Sequence, residues 1–123
     1  MVLLDEGKAQ TAAMELEQLP EASLPRWHGL ALVYFALGRK ADSDGAVRQL
    51  IVTHPRDGAA WIAEAQAYRN ERDDAFKWIA AAYRDHTGYR LFATLRMSHS
   101  WDNIRSDPRY EEWLHKLNLV EKT

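Results

Sequence analysis

A short turn segment that recurs three times limits what this chain can fold into more than any other feature of the sequence. Gly7, Gly38 and Asn70 each stand five residues before a small residue, and successive copies are 31 and 32 residues apart. Glycine and asparagine tolerate a positive φ angle better than other residues. A recurrence of this length indicates helix–turn–helix units that bury their apolar faces by stacking on one another.

Apolar residues between these turns recur with the period of an α-helix. After Gly38 the stripe follows the i, i+3, i+4, i+7, i+8 pattern of a buried helix face, and it consists of Ser43, Ala46, Val47, Leu50 and Ile51. The same periodicity predicts helices over residues 5–19, 23–37, 40–53 and 73–84, and a weaker one over 89–97. A further helix is expected to begin after an N-cap at Asp57 and to run to about residue 69.

The C-terminal segment carries the clearest helix signals. Asp107 is the predicted N-cap and Pro108 the first helical position, a placement that suits both residue types. Residues 101–105 are expected to form a short helical turn before it. An apolar stripe at helical spacing follows the cap, and it consists of Tyr110, Trp113, Leu114 and Leu117. The sequence therefore predicts an all-α protein that ends in a capping helix.

Residues 27–55 resemble one tetratricopeptide repeat. The first helix of that family carries the pattern W-x2-L-G-x2-Y, and the second carries A-x3-F with a closing proline. The matching positions here are Trp27, Leu30, Ala31 and Tyr34 in the first helix, and Ser43, Val47 and Pro55 in the second. The resemblance implies an all-α, right-handed solenoid of antiparallel helix–turn–helix repeats.

The resemblance divides the single expected domain, residues 1–123, into repeats. A half repeat spans about residues 5–22, a full repeat 23–55, a degenerate repeat 56–87, and a partial repeat with the capping helix 88–119. Because Gly7 corresponds to a turn inside a repeat, we expect either a piece of a longer protein or an N-terminal edge that packs against something else. A homodimer through that edge is one expectation, since two-fold association is the commonest form of self-assembly.

The end of the chain resembles a tail found on bacterial multi-domain regulatory proteins. In those proteins, tetratricopeptide repeats follow a cyclase-type or winged-helix domain. The resemblance rests on the run from Ile104 to Tyr110 and on the helix that continues to Leu119. It implies a bacterial regulatory parent protein, although this chain carries no cyclase or DNA-binding motif.

The resemblance also implies where a partner would bind. In tetratricopeptide repeats the first helix of each pair lines a concave face, and its outward side chains contact an extended peptide. The corresponding positions here are His28, Leu32, Phe35, Glu64, Tyr68, Tyr89 and Arg96. We therefore expect a non-catalytic module that binds a peptide or a partner domain. The alternative is a structural or dimerisation segment of a larger bacterial regulatory protein.

Charge and hydropathy argue against other classes of partner. The formal net charge of −2 gives no electrostatic reason to bind nucleic acid or an acidic membrane. The longest apolar run, from Leu30 to Leu37, is far shorter than a bilayer span. Asp5 and Glu6 interrupt the apolar N-terminus before it reaches the length of a signal-peptide core. A cytoplasmic location is the resulting expectation.

The sequence carries no motif for catalysis or for cofactor binding. Cysteine is absent, and the five histidines form neither H-x-x-x-H nor H-E-x-x-H. A nucleophile elbow and a phosphate-binding glycine loop are also missing. Adjacent carboxylates such as Asp73 and Asp74 diverge around a helix and suit its positive N-terminal end. We therefore expect no enzymatic activity, no metal and no cofactor.

Overall fold

The computed structural model describes residues 6–87 and 92–117 of the chain. Within these two ranges the protein is all-α, and no strand occurs in them, which confirms the predicted fold class at that level. The helices are α1 (Glu6–Glu17), α2 (Leu24–Ala36), α3 (Lys40–Thr53), α4 (Ala59–Tyr68), α5 (Arg72–Arg84), a 3-10 helix (His99–Ile104) and α6 (Pro108–Lys116).

Helices that follow one another in the chain pack as neighbours. Helix α2 pairs with α3 and α4 pairs with α5, while α1 packs on α2 and the 3-10 helix packs on α4. Helix α4 also contacts α2 and α3, so it joins the two pairs. Pairing of sequential helices follows from their short connections, which leave little room for another helix between them.

The turns inside the two helix pairs have the same geometry. Gly38 ends the first helix of one pair with a φ of 77°, and Asn70 ends that of the other with a φ of 61°. Past each turn a backbone amide donates to a carbonyl five residues back, Arg39 to Tyr34 and Glu71 to Gln66. This 6→1 bond closes a helix C-terminus. The prediction of turns at Gly38 and Asn70 is confirmed, whereas Gly7 lies in the first turn of α1.

The core consists of two apolar clusters that meet at α4. One cluster gathers α1, α2 and α3, and the other gathers α4, α5, the 3-10 helix and α6. Helix α4 is enclosed by neighbours, because eight of its ten residues are buried. Its five alanines leave space for adjacent helices to approach closely, and they are Ala59, Ala60, Ala63, Ala65 and Ala67.

The predicted helix over residues 89–97 is not the element that packs beside α4. Residues 93–97 form turns, and residues 88–91 lie outside the described ranges. The 3-10 helix contacts α4 instead. Trp101, which falls outside the predicted core stripes, is completely buried there, and its indole N–H donates to the Thr94 hydroxyl at 3.1 Å. Burial of this large ring gives the short helix an anchor that its length alone cannot supply.

One predicted helix cap is confirmed and another is wrong. The Asp107 carboxylate accepts the backbone N–H of Arg109 at 3.0 Å, as an N-cap of α6 should. Hydrogen bonds from Arg109 lower the pKa of Asp107 to about 2. At α4, however, the N-cap is Gly58. The Asp57 carboxylate is instead bonded to Nδ1 of His54 at 2.9 Å and is therefore not at the helix end.

Glycine at position 58 is required by a close approach of the backbone. A Cβ added there would lie 2.7 Å from the carbonyl oxygen of His54 and 2.8 Å from its Cβ. Gly45, inside α3, provides a contrast, because the nearest atom to an added Cβ is a guanidinium nitrogen of Arg48 at 3.8 Å. The two glycines therefore predict opposite responses to the same substitution.

We expect Gly45→Ala to stabilise the protein and Gly58→Ala to destabilise it. Alanine inside a helix is favoured over glycine by about 0.5–1 kcal/mol. Overpacking at Gly58 should cost about 1–3 kcal/mol, because the backbone of His54 must move. Urea unfolding followed by circular dichroism measures both. Equal free energies of unfolding for the two variants would contradict the close contact at Gly58.

Candidate interaction site

The structure brings four of the predicted partner-binding residues together in two contacts between α2 and α4. Nε2 of His28 lies 2.5 Å from Oε1 of Glu64. Two turns further along, the rings of Phe35 and Tyr68 meet edge to face with centroids 5.8 Å apart. Leu32 lies between His28 and Phe35 on α2, at the spacing that puts all three on one side of a helix. These contacts form the seam between the two helix pairs.

Glu64 is a tie between three elements and does not point into open solvent. Its residue is only 6% exposed. Besides His28 on α2, its carboxylate accepts the hydroxyl of Ser100, on the 3-10 helix, at 2.9 Å. The Ser100 hydroxyl also lies 2.8 Å from that of Ser98, whose oxygen accepts the N–H of Ser100 at the start of the 3-10 helix. We call His28, Glu64 and Ser100 the Glu64 clamp.

The order of groups in the Glu64 clamp differs from that of a nucleophilic triad. In a triad the imidazole stands between the hydroxyl and the carboxylate, so that it can take the hydroxyl proton. Here the carboxylate stands in the middle, and the Ser100 hydroxyl donates to it directly. Trp61 packs edge-on against the His28 ring at 4.9 Å and encloses it further. The arrangement satisfies buried polar groups, which is the usual requirement for burying them.

A strip of accessible apolar surface runs beside the seam. Leu32, Phe35 and Tyr68 are half-buried, and Ala36, one helical turn after Leu32, is exposed. Burial raises the pKa of the Tyr68 hydroxyl. We call these four residues the α2–α4 strip. Asn103 lies at its edge, where its side-chain amide donates to the carbonyls of Ala67 and Tyr68, both at 3.0 Å, and satisfies the end of α4.

A buried arginine supports the strip from behind. The Arg69 side chain is 3% exposed and lies against the Phe35 ring, 5.8 Å from its centroid. Its guanidinium donates to Asp44 of α3, to the carboxylate of Glu71 at 3.3 Å and to the Ser43 hydroxyl at 3.3 Å. The bond from Arg69 holds the pKa of Asp44 below its usual value. The strip is therefore backed by a charge network that fixes α3 against α4.

The remaining predicted site residues lie apart from the strip or outside the described ranges. Arg96 is exposed in the turns at residues 93–97, before the 3-10 helix. Tyr89 lies outside the described residues. Sequence reasoning missed Ser100, Arg69 and Asn103, which act between elements far apart in sequence. A polar residue in an otherwise apolar stretch, such as Glu64 or Arg69 around α4, is the one signal that pointed to them.

A second accessible feature lies on the opposite side of α2, along α1. A groove of about 460 Å³ is lined by Gln10, Ala13, Met14, Glu17, Leu37 and Arg39. The Met14 side chain is 63% exposed at its edge. Beside the groove the Tyr34 hydroxyl donates to Glu17 at 2.6 Å, and the Arg39 guanidinium lies over the Tyr34 ring. Burial and the Glu17 bond raise the pKa of Tyr34 to about 12.

Other kinds of site do not appear in the part of the chain that the structure describes. In residues 6–87 and 92–117, no group of three or more His, Asp or Glu side chains could hold a metal ion. Among the same residues, no helix combines the length and apolar character that crossing a bilayer requires. Comparison with protein-family models, with curated proteins and with solved structures finds no match.

We expect Glu64→Ala to destabilise the protein more than Glu64→Gln. Alanine leaves His28 and Ser100 buried without their acceptor, which should cost about 1–3 kcal/mol. Glutamine keeps the shape and one acceptor oxygen, so its cost should be smaller. Urea unfolding measures the difference, with the exposed Glu15→Ala as the control. If Glu64→Ala unfolded at the same urea concentration as the control, the clamp would contribute nothing to stability.

Proposed function

We propose that this chain is a non-catalytic interaction module that binds a peptide or a partner domain on the α2–α4 strip. The observation that carries the proposal is the aromatic pair of Phe35 and Tyr68, which stays half-exposed although both helices around it are fixed. Aromatic side chains commonly anchor interfaces, because they bury a large area with few rotatable bonds. A surface held in place before binding loses less conformational entropy when a partner arrives.

The proposed architecture beneath this surface is a tetratricopeptide-like, right-handed solenoid. Its support is the shared turn geometry at Gly38 and Asn70, which are 32 residues apart. A second argument is the spacing of the Glu64 clamp, since His28, Glu64 and Ser100 follow one another at intervals of 36 residues. Side chains at one constant interval connect α2, α4 and the 3-10 helix, as expected of successive units in a stack.

The non-catalytic part of the proposal rests on how the polar groups are used. The Ser100 hydroxyl and the Glu64 carboxylate are bonded to each other and buried, so they are poorly placed to meet a substrate. His28 is engaged by the same carboxylate. An active site needs a nucleophile, a base and an electrophilic group converging on open space, and the strip offers mainly apolar contacts.

Two matched substitutions test the proposed surface. Ala36→Arg places a long charged side chain beside Leu32 on the strip, whereas Ala80→Arg makes the same change on an exposed position of α5. Peptides selected on the immobilised wild-type chain from a displayed random library should lose binding to Ala36→Arg by more than tenfold, about 1.4 kcal/mol. They should keep their affinity for Ala80→Arg. Peptides retained equally by both variants would place the binding surface elsewhere.

The second candidate function is self-association within a larger bacterial regulatory protein. It is favoured by exposed Met14 at the edge of the α1 groove, since an exposed large apolar side chain beside a concavity suits an interface. Val52 of α3, 74% exposed, provides a control of similar character.

We expect Met14→Glu to abolish, and Val52→Glu to preserve, any concentration-dependent dimer of the chain. A carboxylate buried in an isologous interface would face its own copy across the two-fold axis and repel it. Sedimentation equilibrium over a wide protein concentration range gives the mass. A wild-type chain that stays monomeric throughout would remove this candidate and leave the α2–α4 strip.

A further inference from the structure

Both nitrogens of the His54 ring face groups that can only accept a hydrogen bond. Nε2 lies 2.6 Å from the backbone carbonyl oxygen of Ala22, and Nδ1 lies 2.9 Å from Oδ2 of Asp57. A carbonyl and an ionised carboxylate carry no hydrogen to donate. A neutral imidazole has one N–H, whereas an imidazolium has two. Both bonds form together only when His54 is protonated.

These two bonds join connections that are distant in sequence. Ala22 belongs to the connection between α1 and α2, and Asp57 belongs to the connection between α3 and α4. The second connection is held tightly, because the N–H of Gly58 donates to the His54 carbonyl at 3.1 Å. It is also tied to the end of α5, since the Thr87 hydroxyl donates to the carbonyl of Arg56 at 3.2 Å.

The first connection has a separate set of contacts that depend on its position. The indole N–H of Trp27 donates to the carbonyl of Glu21 at 2.5 Å. The Arg26 guanidinium donates to the carbonyls of Glu17 and Leu19, at 2.9 and 2.8 Å. A groove of about 440 Å³ lies between the two connections, and its walls include Ala22, Trp27 and Thr53. The His54 side chain, 20% exposed, stands beside this groove.

Charged groups reach this region from each surrounding element. Asp57 and Arg56 lie on the same connection as His54, Glu21 lies on the connection that carries Ala22, and Arg26 lies on α2. The end of α5, which Thr87 ties to Arg56, carries Asp85 and His86. Among these groups Asp57 attracts the imidazolium directly. The bond to the Ala22 carbonyl, followed by Asp57, raises the pKa of His54 above its ordinary value of 6.5, against the lowering effect of burial.

We propose that His54, Asp57 and the carbonyl of Ala22 form a proton-operated latch, closed when His54 is protonated, that holds the α1–α2 connection against the α3–α4 connection. The sign follows from linkage. The pKa of His54 is raised in the folded state, so the stabilisation is fully present below about pH 6.5 and is lost as the pH rises through the folded-state pKa. Above that pH the imidazole gives up one of its two bonds. This inference stands apart from the α2–α4 strip and does not depend on it.

Hydrogen exchange measured by mass spectrometry tests the latch. Exchange of peptides covering residues 18–27 is compared at about pH 6 and about pH 8.5, on either side of the ordinary histidine pKa of about 6.5, after correction for the intrinsic rate. In the wild type these peptides should be severalfold more protected at the lower pH. His54→Gln should remove the difference, since a glutamine amide still donates to Ala22 but does not titrate. His99→Gln, at a histidine that is 61% exposed, should leave it unchanged.

A titration of the ring itself provides a second measurement that does not require the glutamine variant to fold. The His54 imidazole signals in an NMR titration should give a pKa above 6.5 in the wild type and a lower pKa in Asp57→Asn, which keeps His54 and Ala22 but removes the carboxylate charge. A wild-type pKa at or below 6.5, or protection of residues 18–27 that does not change with pH, would overturn the latch.

Discussion

The arrangement of this protein depends on how closely other elements can approach α4. Five of its ten residues are alanines, so α2, α3, α5 and the 3-10 helix all contact it, and eight of the ten residues are buried. Alanine contributes little apolar area of its own. Most of the apolar area around α4 is therefore supplied by large side chains of its neighbours, such as Phe76, Ile79 and Trp101, which are packed into the same cluster. A larger residue at Ala60 or Ala63 would have to displace one of these neighbours, because a close-packed interior has no spare volume.

A helix with a smooth alanine surface does not by itself fix the position of what packs on it. Ridges of large side chains normally set the register between helices, and α4 lacks most of them. Directional bonds take over that role here. Glu64 meets His28 and Ser100, Arg69 meets Asp44 of α3, and Asn103 meets the last carbonyls of α4. Each of these bonds forms in one register only, since a shift by one residue would turn the polar group toward a different neighbour and leave it buried without a partner.

Sequence patterns predicted those parts of the fold that depend on neighbours in the chain. The α3 stripe gave its bounds, and Gly38 and Asn70 marked turns because few residues adopt a positive φ. The 3-10 helix was not expected to pack against α4, because burial of Trp101 depends on contacts remote in sequence. The candidate site was predicted in part: His28, Phe35, Glu64 and Tyr68 do meet. Glu64 was expected on an accessible face, as carboxylates usually are, and only its partners explain why it is buried.

The difference between two intervals explains why those partners escaped notice. Equivalent turns are 32 residues apart, whereas the residues that touch across α2, α4 and the 3-10 helix are 36 apart. The extra four residues are about one helical turn, so contacting side chains are displaced along the stack relative to equivalent ones. Aligning the copies on their turns places His28 opposite Ala60 rather than Glu64. The ion pair of Arg109 with Asp73 follows the same interval of 36 residues, between α6 and α5. Contacts between successive elements on both sides of the stack therefore share one displacement, which a search at the turn interval passes over.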